Sequence, residues 1–103
     1  MRILRTPQAE QARLEIWRYI ARDNIDAADR MIRRIDATSK QYARSPLLGE
    51  RRDDLGPDVR CFLVGKYAVF YKPLDNGILV LTVIHSARDI ATVFQQTFGT
   101  GDD

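Results

Sequence analysis

The sequence predicts an α+β fold: a short N-terminal strand, an antiparallel two-helix hairpin packed on an antiparallel β-sheet, and a short C-terminal helix. Three observations carry this. Apolar residues recur at helical spacing from Pro7 to Arg22 and again from Asn24 to Ser45. After Val59 the period changes to that of strands, in runs rich in β-branched and aromatic residues. Asp75-Asn76-Gly77 then separates the last two runs as a hairpin turn, because Asn and Gly tolerate positive φ. The length of 103 residues suits one domain, read here as residues 1–98 with 99–103 as a frayed tail.

Met1 to Arg5 carries Ile3 and Leu4 before a stop at Thr6-Pro7, and is the N-terminal strand. Thr6 can cap a helix, and Pro7 suits its first turn because proline lacks the amide hydrogen that would be unsatisfied there. Ala9, Ala12, Ile16 and Ile20 form the apolar stripe, with Trp17 and Tyr19 at its borders. Asp23-Asn24 breaks the helix and supplies the next cap. The second helix sets Ala28, Met31, Ile32, Ile35, Ser39 and Tyr42 on one face and turns Arg30, Arg33, Arg34 and Ala37 away, most simply to solvent. Pro46 ends it, since the residue before a proline disfavours helix. So short a break makes the pair an antiparallel hairpin.

Ser45 to Pro57 reads as an irregular connection. Val59–Val64, Tyr67–Lys72 and Ile78–His85 are the strands of a meander, joined by Gly65-Lys66 and the Asn-Gly turn. Strict alternation groups Ile78, Val80 and Ile84 on one face of the last strand and Leu79, Leu81 and Val83 on the other. Both faces are apolar, unlike a sheet half exposed to water. One packs on the hairpin. The other meets a partner or, as the alternative, this chain's own loop and C-terminal helix, expected from Ala87 to about Phe94.

Composition excludes more than it assigns. A lone cysteine, Cys61, forbids an internal disulfide and fits a reducing compartment. Without a signal-like start or a membrane-length apolar run, the expected location is the cytoplasm. A net charge of +2 is no argument for nucleic acid. There is no Cys/His cluster for zinc and no glycine-rich phosphate loop, so no metal or cofactor is expected. The remaining polar residues set in or beside strands are Arg60, Lys66, Tyr67, Tyr71, His85, Arg88 and Asp89. Each has an ordinary structural reading: a solvated arginine, aromatic strand packing, a satisfied histidine, a helix start.

Taken in order, the residues go further. Pro7-x-Ala9-x(4)-Leu14-x-Ile16-x-x-Tyr19-Ile20 is followed by Ala27-Ala28-x-x-Met31-Ile32-x-x-Ile35 and Ser45-Pro46-Leu47-Leu48-Gly49. Arg60-Cys61-Phe62-Leu63-Val64-Gly65-Lys66-Tyr67-Ala68-Val69-Phe70-Tyr71 and Ile84-His85-Ser86-Ala87-Arg88-Asp89 complete the set. Over residues 3 to 94 this order resembles the ParE/RelE superfamily of bacterial toxins from type II toxin–antitoxin modules, and within it the ParE branch.

The resemblance implies a cognate antitoxin, ParD-like, with a ribbon-helix-helix DNA-binding part and a C-terminal tail that wraps the toxin. Any DNA contact would then run through the antitoxin. Ile16, Trp17, Ile20, Met31, Ile35 and Phe70 are the residues expected to meet that tail. Two activities occur in the superfamily: cutting of messenger RNA in the ribosome, and poisoning of DNA gyrase. Metal-independent RNA cleavage needs a base, an acid and cations on the phosphate. Arg60 and Arg88 as clamps and His85 as acid or base are the residues for it. No Tyr, His, Lys or Arg follows Arg88, however, and the tail ends in Asp102-Asp103. The expectation is therefore a binder of gyrase or a related topoisomerase, with Arg60, Lys66, Tyr67, Tyr71, His85 and Arg88 as candidate target contacts. RNA cleavage, and a non-toxic regulator that only binds antitoxin, are the alternatives.

Overall fold

Thr6 closes the first strand, β1 (Arg2–Arg5), and opens the first helix, α1 (Pro7–Ala21), in a computed structural model that describes residues 1–99. Its Oγ1 accepts the Ala9 amide at 3.0 Å and donates to the Leu81 carbonyl at 2.6 Å. One hydroxyl thus satisfies a helix terminus and pins it to the sheet. Asn24 repeats the device for α2 (Ile25–Arg44), accepting the Ala27 amide at 2.9 Å. Cross-links between the helices run in antiparallel order. Trp17 Nε1 donates to Asp29 at 2.8 Å, and Arg13 Nε to Asp36 at 3.1 Å.

The connection from Ser45 to Pro57 holds a strand too short to leave a sequence signature, β2 (Glu50–Arg51). The meander follows as expected: β3 (Arg60–Val64), β4 (Tyr67–Leu74) and β5 (Gly77–His85). The strand order is β1-β5-β4-β3-β2. β1 lies parallel to β5, so the sheet is mixed and not wholly antiparallel as predicted. A four-residue strand carries no local mark of direction. Here it is set by where the hairpin leaves β1, and Gly77 admits the close approach: a Cβ there would strike the backbone of Arg2.

β5 also departs from the strict alternation expected of it. Phe70 faces Thr82 but Tyr71 faces Val80, so Leu81 is an extra residue and the alternation slips there. Ile78, Val80 and Val83 consequently share the hairpin core with Ile16, Ile35, Phe62 and Val69. Leu81 and Ile84 belong to the other face, with Leu79 packed beside them. That face is covered by the chain itself. Leu55 and Val59 come from the loop, and Phe94 from α3 (Ile90–Phe98), with Ile90, Val93 and Phe98 around it. The alternative reading of the second face is the one observed. α3 starts later than the expected Ala87, because Asp89 caps it by accepting the Thr92 amide at 3.3 Å and hydroxyl at 2.9 Å. Residues 100–103, most of the expected tail, lie outside the described residues. Among those described, no helix is long and apolar enough to cross a membrane.

Candidate functional site

A groove of about 760 Å³ opens between α1, α2, the Gly65-Lys66 turn and the end of β5. Helical spacing builds its apolar side: Ala12 and Ile16 lie one turn apart on α1, and Met31 faces them from α2. Tyr19 and Tyr67 add aromatic surface. The rim is cationic, with Arg34, Lys66 and Arg88 against the single acid Glu15. Among the described residues, none of these three cations enters an ion pair.

Tyr67 and His85 sit opposite each other in the β4–β5 register, and their rings meet edge-on with centroids 5.3 Å apart. Burial pushes the Tyr67 phenol above its ordinary pKa, and nearby Tyr19 adds to the shift. Tyr67 is therefore a neutral hydroxyl at physiological pH. His85 Nδ1 accepts the Ala87 amide at 3.0 Å. A neutral imidazole so held carries its proton on Nε2.

The groove gathers Ile16, Met31, Lys66, Tyr67, His85 and Arg88 from the residues singled out in the sequence. Ile20 packs at the edge of the hairpin core, while Trp17 is engaged with Asp29 between the helices. Ile35, at 3 % exposure, is interior. Phe70 and Tyr71 are fully buried, so neither offers surface to a partner. Phe70 fills the second core, on the face away from the hairpin.

Arg60 pairs with Tyr71 across β3–β4, four positions along β4 from the Tyr67–His85 pair. At about 3.3 Å per residue that is about 13 Å. Its Nη1 donates to the carbonyls of Leu47 and Gly49 at 3.0 and 2.9 Å. The expected trio of Arg60, His85 and Arg88 is thus not brought together. Arg34, expected on the solvent face of α2, Tyr19, expected only at the border of the α1 stripe, and Glu15 also line the groove, though none was among the candidate site residues. The available signal was spacing: Arg34 lies three positions after Met31, and Glu15 and Tyr19 flank Ile16.

A family model described as "ParE toxin of type II toxin-antitoxin system, parDE" matches residues 3–90, from β1 to the start of α3 and across the whole groove. The chain belongs to the ParE toxin family. Toxin ParE3 of Caulobacter vibrioides is 24% identical over 91 residues, covering 87% of this chain and 91% of that protein. The solved structure "Chromosomal ParDE TA system from P. aeruginosa" is similar in fold, with a TM-score of 0.68 at 17% identity over 82% of this chain and 95% of that one. The protein is accordingly a type II toxin of the ParE type, the toxin component of a toxin–antitoxin module. Within this ParE toxin, residues from both helices and both ends of the β4–β5 turnaround contribute to one surface. Most of α3 lies beyond the family match.

Proposed function

We propose that this ParE toxin arrests growth by binding DNA gyrase or a related topoisomerase, and that a ParD-like ribbon-helix-helix antitoxin neutralises it. A binder of this kind acts through higher affinity for one state of its target. One observation carries the choice over RNA cleavage: Arg60 is committed to the Leu47 and Gly49 carbonyls, at a register position four residues, about 13 Å along β4, from the one that pairs with His85. Cations that stabilise a phosphate in a transition state must converge on one point.

The groove suits the antitoxin. Its apolar floor at Ile16 and Met31 would take apolar side chains, and its three rim cations against one acid favour an acidic segment. A tail that folds on binding would offset its ordering entropy by burial there. Ile20 and Trp17 extend the contact along the hairpin. Lys66, His85 and Arg88 are the proposed polar contacts to antitoxin or target, and in the toxin–antitoxin complex DNA is reached through the antitoxin, in the cytoplasm.

The test sets purified gyrase beside translated mRNA. We expect inhibited supercoiling and accumulated cleaved DNA. His85→Ala should weaken inhibition by no more than one lost polar contact, about 10-fold at most, whereas an RNase relying on that imidazole would lose ~10²–10⁴-fold in rate. Codon-associated mRNA cuts by primer extension, with gyrase unaffected, would reverse the assignment.

A further inference from the structure

After its first turn, every exposed position of α2 is cationic or neutral. Arg30, Arg33, Arg34, Lys40 and Arg44 are the cations, with Ala37 and Gln41 among them. At about 1.5 Å per residue they run about 21 Å along the solvent face of the helix. The sequence supplies acids that could neutralise this face. Asp26–Arg30, Asp29–Arg33 and Asp36–Lys40 all have the i, i+4 spacing of a helical ion pair. Among the described residues, none of the three pairs forms. Asp29 accepts Trp17, and Asp36 accepts Arg13 and Arg5, so both acids are engaged away from the face. Asp26 stays in the first turn, where the helix dipole favours an acid. The fold thus draws the acids off and leaves five like charges side by side. Like charges three and four residues apart repel each other, and an anionic partner relieves that repulsion.

We infer that this face of α2 docks on duplex DNA, gripping the phosphate backbone without reading its sequence. Composition selects this occupant. Four of the five cations are arginines, whose planar fork matches a phosphate. No exposed side chain of the run is a large apolar or aromatic group. A protein partner calls for an apolar interface core, and a single nucleic-acid strand for aromatic stacking platforms. A line of charge on a helix suits neither. Duplex DNA carries one charge per ~1.7 Å of its axis, dense enough to face every cation of the run. The chain's net charge of +2 conceals this face, because its acids lie elsewhere. For its setting the inference rests on the gyrase reading: the DNA is the segment that the enzyme holds. A toxin touching that DNA binds the DNA-loaded enzyme more tightly than the bare one, which is the differential affinity that trapping requires.

The experiment compares the full-length chain with the quadruple variant R30Q/R33Q/K40Q/R44Q, which spares Arg34 because it lines the groove. Melting temperature and co-purification with the product of the adjacent antitoxin gene should be unchanged, since the four side chains are exposed and outside the groove. Binding is read by fluorescence anisotropy with a short DNA duplex of arbitrary sequence across a salt series. We expect the parent's log affinity to fall against log salt with a slope of about −4, about 0.9 per cation engaged. The variant should bind at least ~10-fold more weakly at ~50 mM salt, with a slope shallower than about −1. A parent slope that shallow, or equal binding by both proteins, overturns the inference. So does tighter binding of duplex RNA or of poly-glutamate than of DNA, which would assign the face to RNA or to an acidic protein. If the quadruple variant misfolds, R30Q/R33Q and K40Q/R44Q decide, each expected to flatten the slope by about 2. Gyrase tests the setting separately: at least ~10-fold more variant should be needed to accumulate cleaved DNA, and equal potency overturns the placement on gyrase-held DNA. If the parent itself spares gyrase, the gyrase reading fails, and the anisotropy series still decides the DNA surface.

Discussion

Gly49 has no room for a side chain. A Cβ there would lie 2.8 and 2.9 Å from ring carbons of Tyr71, a fully buried residue that cannot swing away. Gly49→Ala should therefore destabilise the fold by about 2–3 kcal/mol, read as a lower urea midpoint with an unchanged slope. Burial raises the Tyr71 phenol above its ordinary pKa, so it remains the donor that the Pro46 carbonyl requires. None of this was legible locally. Tyr71 reads in sequence as ordinary strand packing, and its partners lie 22 and 25 positions upstream. Arg60 misled for the same reason: a charged side chain on a strand looks available until the loop that it holds is placed.

At the scale of elements, one carboxylate joins three of them. Asp36 on α2 accepts Arg13 of α1 and Arg5 of β1, with side chains between 26% and 31% exposed. Asp36→Ala would leave both guanidinium groups without their shared acceptor. Partial solvation limits the loss to about 1–2 kcal/mol, and thermal melts in rising salt should show the parent approaching the variant. Both helices of the hairpin were legible almost to the residue, because Thr6 and Asn24 cap through bonds spanning three residues. The start of α3 was not. Ala87 suits a helix by propensity, yet the backbone turns through the Arg88 amide to the His85 carbonyl at 3.0 Å, and Asp89 supplies the cap.

At the scale of the molecule, the sheet is closed on both faces. Phe94 meets Phe70 edge-on at 5.8 Å and Phe98 at 4.8 Å, making α3 the lid of the second core. Phe94→Ala should cost about 3–4 kcal/mol and promote binding of a hydrophobic dye, measured by denaturation and fluorescence. An α3 that left the sheet bare would instead tolerate the change. The two helices, the Asn-Gly hairpin, the meander and the kinship with ParE toxins were all determined by the sequence, because caps, turns and periodicity act over a few residues. The tertiary structure alone decided the parallel pairing of β1, the slip at Leu81, the owner of the second apolar face and the division of the candidate residues. Lys66, Tyr67, His85 and Arg88 went to the groove, and Arg60 and Tyr71 to the loop of residues 46–49. Each of these outcomes depends on which distant residues meet, and two residues of the same chemistry can be sent to different ends of one sheet by register alone.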